Sequence, residues 1–253
     1  MKKKSIMTAS FSFLLSLIVA VTAPAQDAQT IVSDSFNYWR GKASIAAVSM
    51  TIQRPDWERT YTIKVWTKGE RDSLFTITSP AKDEGNGTLK KGREMWMYNP
   101  KINRVIKVPP SMMSQSWMGS DFSNNDLAKS DSLLHDYTHT LTGTEIHEGK
   151  TVYLITSIPK LDAPVVWGMQ KLKIREDLIF LREEFYDEDH KLVKTLEFYD
   201  IQILGGKLYP RVMKMQKAET TDEYTVVEYN SLTFADDLPG DVFTLSALKT
   251  FRR

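Results

Sequence analysis

The sequence predicts a mainly β fold, an antiparallel sheet whose strands are connected consecutively. Two observations carry this expectation. From Ser44 onward, apolar and polar residues alternate with period two over most segments. Those segments are separated by regularly spaced turn residues, with no helical crossover of the βαβ kind between them. A third observation bounds the class: 42% hydrophobic and 26% charged residues in 253 describe a folded chain, not a disordered one.

The N-terminus has a different character. Lys2, Lys3 and Lys4 form a basic region, Phe11 to Val21 is apolar apart from two serines, and Ala23-Pro24-Ala25 offers small residues at −3 and −1. This is the pattern of a secretory signal peptide, residues 1–25, with an apolar run too short to span a membrane comfortably. Residues 26–253 are read as a single domain, since no linker, repeat or low-complexity tract divides them. No later stretch approaches ~18 apolar residues, so the mature chain is expected to be soluble. Its 30 basic and 32 acidic residues leave −2 and argue against nucleic acid as a partner. With no cysteine in an exported chain, disulfides, thiol chemistry and a lipidated cysteine are excluded, and stability has to come from the core.

Asp27 to Trp39 spaces Ile31, Val32, Phe36 and Trp39 as an amphipathic helix does. Strands are then expected at 44–54, 57–67 and 74–79, joined by Arg54-Pro55-Asp56 and Lys68-Gly69-Glu70. Short ones follow at 88–91, 94–98 and 103–108, where Pro109-Pro110 ends the run. Ser111 to Ala128 loses the alternation and reads as a short helix, a loop, and a second short helix near Asn125-Asp126-Leu127. Seven more strands are expected at 136–148, 151–159, 166–176, 179–187, 194–204, 207–217 and 223–234, with turns such as Glu148-Gly149-Lys150 and Gly205-Gly206. Leu238 to Leu248 is a tail with room for one helical turn.

Residues suited to catalysis do not converge. His135 and His139 would share a face on a helix, but on a strand they stand roughly 13 Å apart, and both read as surface histidines. The pairs Asp83 and Glu84, Glu183 and Glu184, and Asp236 and Asp237 point to opposite faces of a strand and read as solvated charge. Ser120 lies in Met-Gly-Ser-Asp, outside any nucleophile-elbow pattern. No metal or cofactor is expected.

The remaining signal is apolar. Met95 and Met97 alternate with Trp96 and Tyr98, so this strand is bulky on both faces and is buried on both. Met112, Met113, Trp117 and Met118 form an adaptable, polarizable cluster. A ligand cavity or an ordinary barrel core capped by a helix accounts for the pattern equally well.

Trp66-Thr67-Lys68, then Phe75, Pro80 and Met95-Trp96-Met97-Tyr98-Asn99-Pro100, followed by Met118-Gly119-Ser120-Asp121-Phe122 and Asp126-Leu127, resemble the LolA-type outer-membrane lipoprotein-sorting proteins. The resemblance implies an incomplete antiparallel β-barrel around a hydrophobic cavity, with short helices as a lid. It implies a non-catalytic periplasmic carrier of lipid or lipoprotein acyl chains, acting between a membrane transporter and an outer-membrane acceptor, and expected to be a monomer. Arg71 is the nearest match to the family's lid-bonding arginine, or else an exposed turn residue. The cavity wall is expected from Tyr61, Ile63, Val65, Phe75, Ile77, Trp96 and Tyr98, and the lid from Met112, Met113, Trp117 and Met118, although period two alone does not say which face is inward. A secreted hydrolase of lipid or glycan and a docking module without cargo are the rival readings.

Overall fold

All thirteen expected strands form, with ends shifted by at most three residues, in one antiparallel sheet of a computed structural model that describes residues 27–250. The expected signal peptide lies outside the described residues. The strands are β1 (Ala43–Arg54), β2 (Trp57–Lys68), β3 (Asp72–Ser79), β4 (Gly87–Lys91), β5 (Glu94–Asn99), β6 (Arg104–Lys107), β7 (Tyr137–His147), β8 (Lys150–Pro159), β9 (Met169–Arg175), β10 (Phe180–Tyr186), β11 (Leu192–Leu204), β12 (Lys207–Lys217) and β13 (Tyr224–Ala235). Every neighbour is also a sequence neighbour except at the centre, where β1 pairs with β13. The sheet is therefore two meanders joined back to back, with β6 and β7 as its unpaired edges, and it does not close into a barrel.

Register sorts the side chains into two faces. One row runs Leu232, Ala46, Val65, Phe75, Thr88 and Met97 across β13, β1, β2, β3, β4 and β5. This inner face carries the helices and the main core. The adjacent row, Ile45, Trp66, Leu74, Leu89 and Trp96, belongs to the outer face. It is covered by the chain's tail, a 3-10 helix (Gly240–Phe243) and Leu245–Thr250, through Val242, Phe243 and Leu248.

The N-terminal helix α1 (Ala28–Arg40) buries Ala28, Ile31 and Val32 against Ile155, Leu172 and Ile174 on the inner face of the second meander, and its Phe36 is buried as well. Gly41 ends it at φ 66°, where a Cβ would stand 2.6 Å from the Phe234 ring. Only glycine meets both demands. Between the two sheet edges, residues 108–136 supply a 3-10 turn at Pro110–Met112, another at Trp117–Gly119, α2 (Asn124–Ala128) and α3 (Ser132–His135). A capping box between Ser123 and Asp126 starts α2. Among the described residues, no helix is long and apolar enough to cross a membrane.

Candidate functional site

Between the inner face and its covering segments lies a cavity of about 280 Å³. Its first wall is Ala46, Val48 and Met50 of β1 with Ile63, Val65 and Phe75 of the adjoining strands. Its second wall comes from the other meander, with Phe180, Phe185, Phe198, Met213 and Val227. Phe36 and Trp39 of α1, Trp117, Phe122 and Leu127 of the connecting segment, and Val165 to Trp167 roof it. The lining is largely apolar, as a site for a chain-like ligand requires. A second space of about 420 Å³ adjoins it and shares Ile63, Phe75 and Trp117 with it.

Trp117 stands between the two spaces. Its Nε1 donates to Thr88 Oγ1 at 3.0 Å, and its ring meets Phe75 edge-on at 5.5 Å. The chain after it is held by Asp121, whose side chain is wholly buried. Asp121 accepts from Arg54 through both oxygens at 3.1 Å and from Thr225 Oγ1 at 2.7 Å. Such bidentate, charge-assisted bonding fixes the geometry of a segment that has no sheet ladder of its own.

Of the residues singled out from sequence, Ile63, Val65, Phe75 and Trp117 line the first cavity, and Tyr61, Ile77, Met112 and Met118 border the second space. Met113 packs into the core beside them. Trp96 does not join this set. Because Phe75 faces Thr88 and Thr88 faces Met97, Met97 is on the inner face and Trp96 on the outer one. Tyr98 shares the outer cluster, although it also borders the second space. Arg71 is not a free turn residue: its Nε is 3.2 Å from Asp131 Oδ2, just before α3.

The same Asp131 oxygen pair receives Lys90 Nζ at 2.9 Å, and both side chains are only 1% exposed. Burial raises the Asp131 carboxyl, but Lys90, its hydrogen bond, a backbone N–H and Arg71 outweigh it and leave the pKa below the usual value. Burial lowers the Lys90 ammonium, against the pull of Asp131.

Several functional groups escape a sequence reading. Glu183 is not solvated turn charge. It lies in β10 on the inner face and borders the cavity, whereas Glu184 points outward to Arg182. Burial first, and Asp126 second, push the Glu183 carboxyl up to about 8, against the opposing pull of Lys194. Lys194 of β11 pairs with Asp126 of α2 and lies 5.0 Å over the Trp167 ring. His139 is not at the surface: it is buried on β7, between Ser157 Oγ at 2.7 Å and the Leu133 carbonyl at 2.9 Å. Burial lowers its pKa. His135 lies in α3, not at a strand entry, and meets Glu70 at 2.7 Å. The inner residues of the second meander had a signal in the alternation Lys194, Leu196, Phe198 and again in Met213 and Met215, once the register with β13 is known.

A family model described as that of an uncharacterized protein matches residues 69–250. No curated protein matches the chain. Among solved structures, a DUF1329 family protein from Desulfovibrio piger is 26% identical, with 87% of this chain and 97% of that chain covered and a TM-score of 0.78. A LolA superfamily protein from Nitrosomonas europaea is 25% identical over 88% of this chain and 100% of that one, at a TM-score of 0.73. A domain from Vibrio parahaemolyticus, named for outer membrane lipoprotein sorting, shares the fold at 22% identity and a TM-score of 0.73, with 88% and 98% covered.

Proposed function

This chain belongs to the LolA-like family, and we propose on that premise that it is a non-catalytic carrier which encloses acyl chains of lipids or lipoproteins and passes them between membrane partners. The observation that carries the reading is the apolar cavity between the inner sheet face and its roof of short helices. Each methylene taken out of water gains ~0.8 kcal/mol, so an acyl chain needs such an enclosure to cross an aqueous space. The roof is made of short segments tied down by side chains, which suits a ligand that has to enter and leave. Residues 1–25 then export a single carrier unit, 26–253, to the periplasm, where a transporter delivers cargo and an outer-membrane acceptor receives it.

The test is binding of a fluorescent acyl probe by the mature protein, together with extraction of any co-purifying lipid. Ile63→Glu places a charge in the cavity, where burial is costly without a partner, and is expected to abolish binding. Thr62→Glu, its neighbour on the outer face, leaves binding within about twofold of wild type. Urea unfolding of each variant separates a cavity defect from a folding defect. Wild-type protein that binds no probe and yields no lipid sinks the carrier reading.

A further inference from the structure

Within the cavity one carboxyl has nothing to bond. Glu183 lies across from Leu172 of β9 and Leu196 of β11, and makes no hydrogen bond or ion pair with any described residue. The next row of the ladder is Gln170, Phe185 and Lys194, which makes Gln170 and Lys194 its diagonal neighbours. Gln170 is 4% exposed. Its Oε1 has no hydrogen-bond partner. Lys194 is already committed to Asp126. Buried acceptors without donors, such as Gln170 Oε1, are uncommon in folded chains, and here one lies diagonal to the unpartnered, partly buried Glu183 at a space that could hold a ligand.

Resting on the carrier reading, we propose that Glu183 and Gln170 form a polar anchoring subsite that takes a neutral hydroxyl or amide on an otherwise apolar chain. Gln170 Oε1 can only accept, so the ligand has to bring a donor. The charged groups that face Glu183 are Asp126 from α2 and Lys194 from β11, and they cancel each other. The other cations bordering the cavity, Arg40 and Lys129, donate to backbone carbonyls. An anionic head group would therefore meet carboxyls and no free cation. A carboxyl pushed up to about 8 also donates in its protonated form, so one hydroxyl or amide engages it in both directions.

The test is competition against the acyl probe by hexadecanol, hexadecanamide, hexadecanoate and methyl hexadecanoate, which share a chain and differ at the head. Wild-type protein is expected to prefer the alcohol and the amide over the ester by about tenfold. Glu183→Gln keeps that preference, because it still donates and accepts. Glu183→Leu binds the ester as before and brings the alcohol and amide to parity with it. Urea unfolding confirms that each variant is folded. The subsite is overturned if wild type binds alcohol, amide and ester alike, if hexadecanoate binds best, or if the preference survives in Glu183→Leu. In those outcomes the carrier reading stands, because the chains still bind. If no ligand binds wild type, both readings fall.

Discussion

Lys90 of the first meander with Asp131, and Lys194 and Glu183 of the second with Asp126, place charged groups against the same inner face but complete them differently. In the first, one ammonium meets one carboxylate, each 1% exposed, and Arg71 adds a partly exposed second cation. The two buried charges there are paired with each other, and the effect is to hold the chain entering α3 against β4. In the second, the ion pair between Lys194 and Asp126 secures α2, while Glu183 is left over beside it. A matched pair of buried charges serves structure, since removing either partner strands the other. A surplus polar group beside a cavity has no structural use, and it is the group that a ligand would complete.

The comparison breaks most readily at Lys90. Lys90→Met leaves Asp131 buried and is expected to cost about 3–5 kcal/mol in urea unfolding. The double variant Lys90→Met, Asp131→Leu recovers most of that loss. A single-variant cost below about 1 kcal/mol would show that the pair holds nothing in place.

Glu183 sharpens the contrast through pH. Its folded-state pKa is raised from 4.5 to about 8, so the folded state keeps a proton that the unfolded chain releases. Below about pH 4.5 both states are protonated and the group costs nothing. As pH climbs from there toward 8, wild type loses stability relative to Glu183→Gln, by at most about 1.4 kcal/mol per pH unit. Parallel stability curves for the two proteins between those limits would mean that the carboxyl is not held in a dry environment.

Arg71→Ala is expected to have the smallest effect. The Arg71 side chain is 51% exposed, so its pairing with Asp131 is screened by water and contributes about 0–1 kcal/mol. Increasing salt shrinks this difference further, and a loss comparable to that of Lys90→Met would place Arg71 in the buried pair itself.

The strands were legible because alternation and turn residues are local signals, and the thirteen segments needed no tertiary information. The connecting segment was legible by its loss of alternation. Which face turns inward was not, because Trp96 and Met97 are both apolar, and only the hairpin register that sets Met97 opposite Thr88 decides between them. Glu183 was hidden for a related reason. Next to Glu184 it looks like paired surface charge, and its position between Leu172 and Leu196 is a fact about three strands, not one. His139 likewise gains its partners from β8 and from Leu133 in α3.

Where a closed barrel would join its first and last strands by a backbone ladder, this molecule bridges the gap near α3 with side chains. Glu70 reaches His135, Arg71 and Lys90 reach Asp131, and Arg93 reaches Asp136 at 2.6 Å. A ladder breaks only with the sheet that contains it. This seam is made of side-chain pairs alone, and no strand pairing depends on it. The ladder of the sheet and the fastening of its mouth thereby rest on bonds of different kinds, so a substitution in the one need not touch the other.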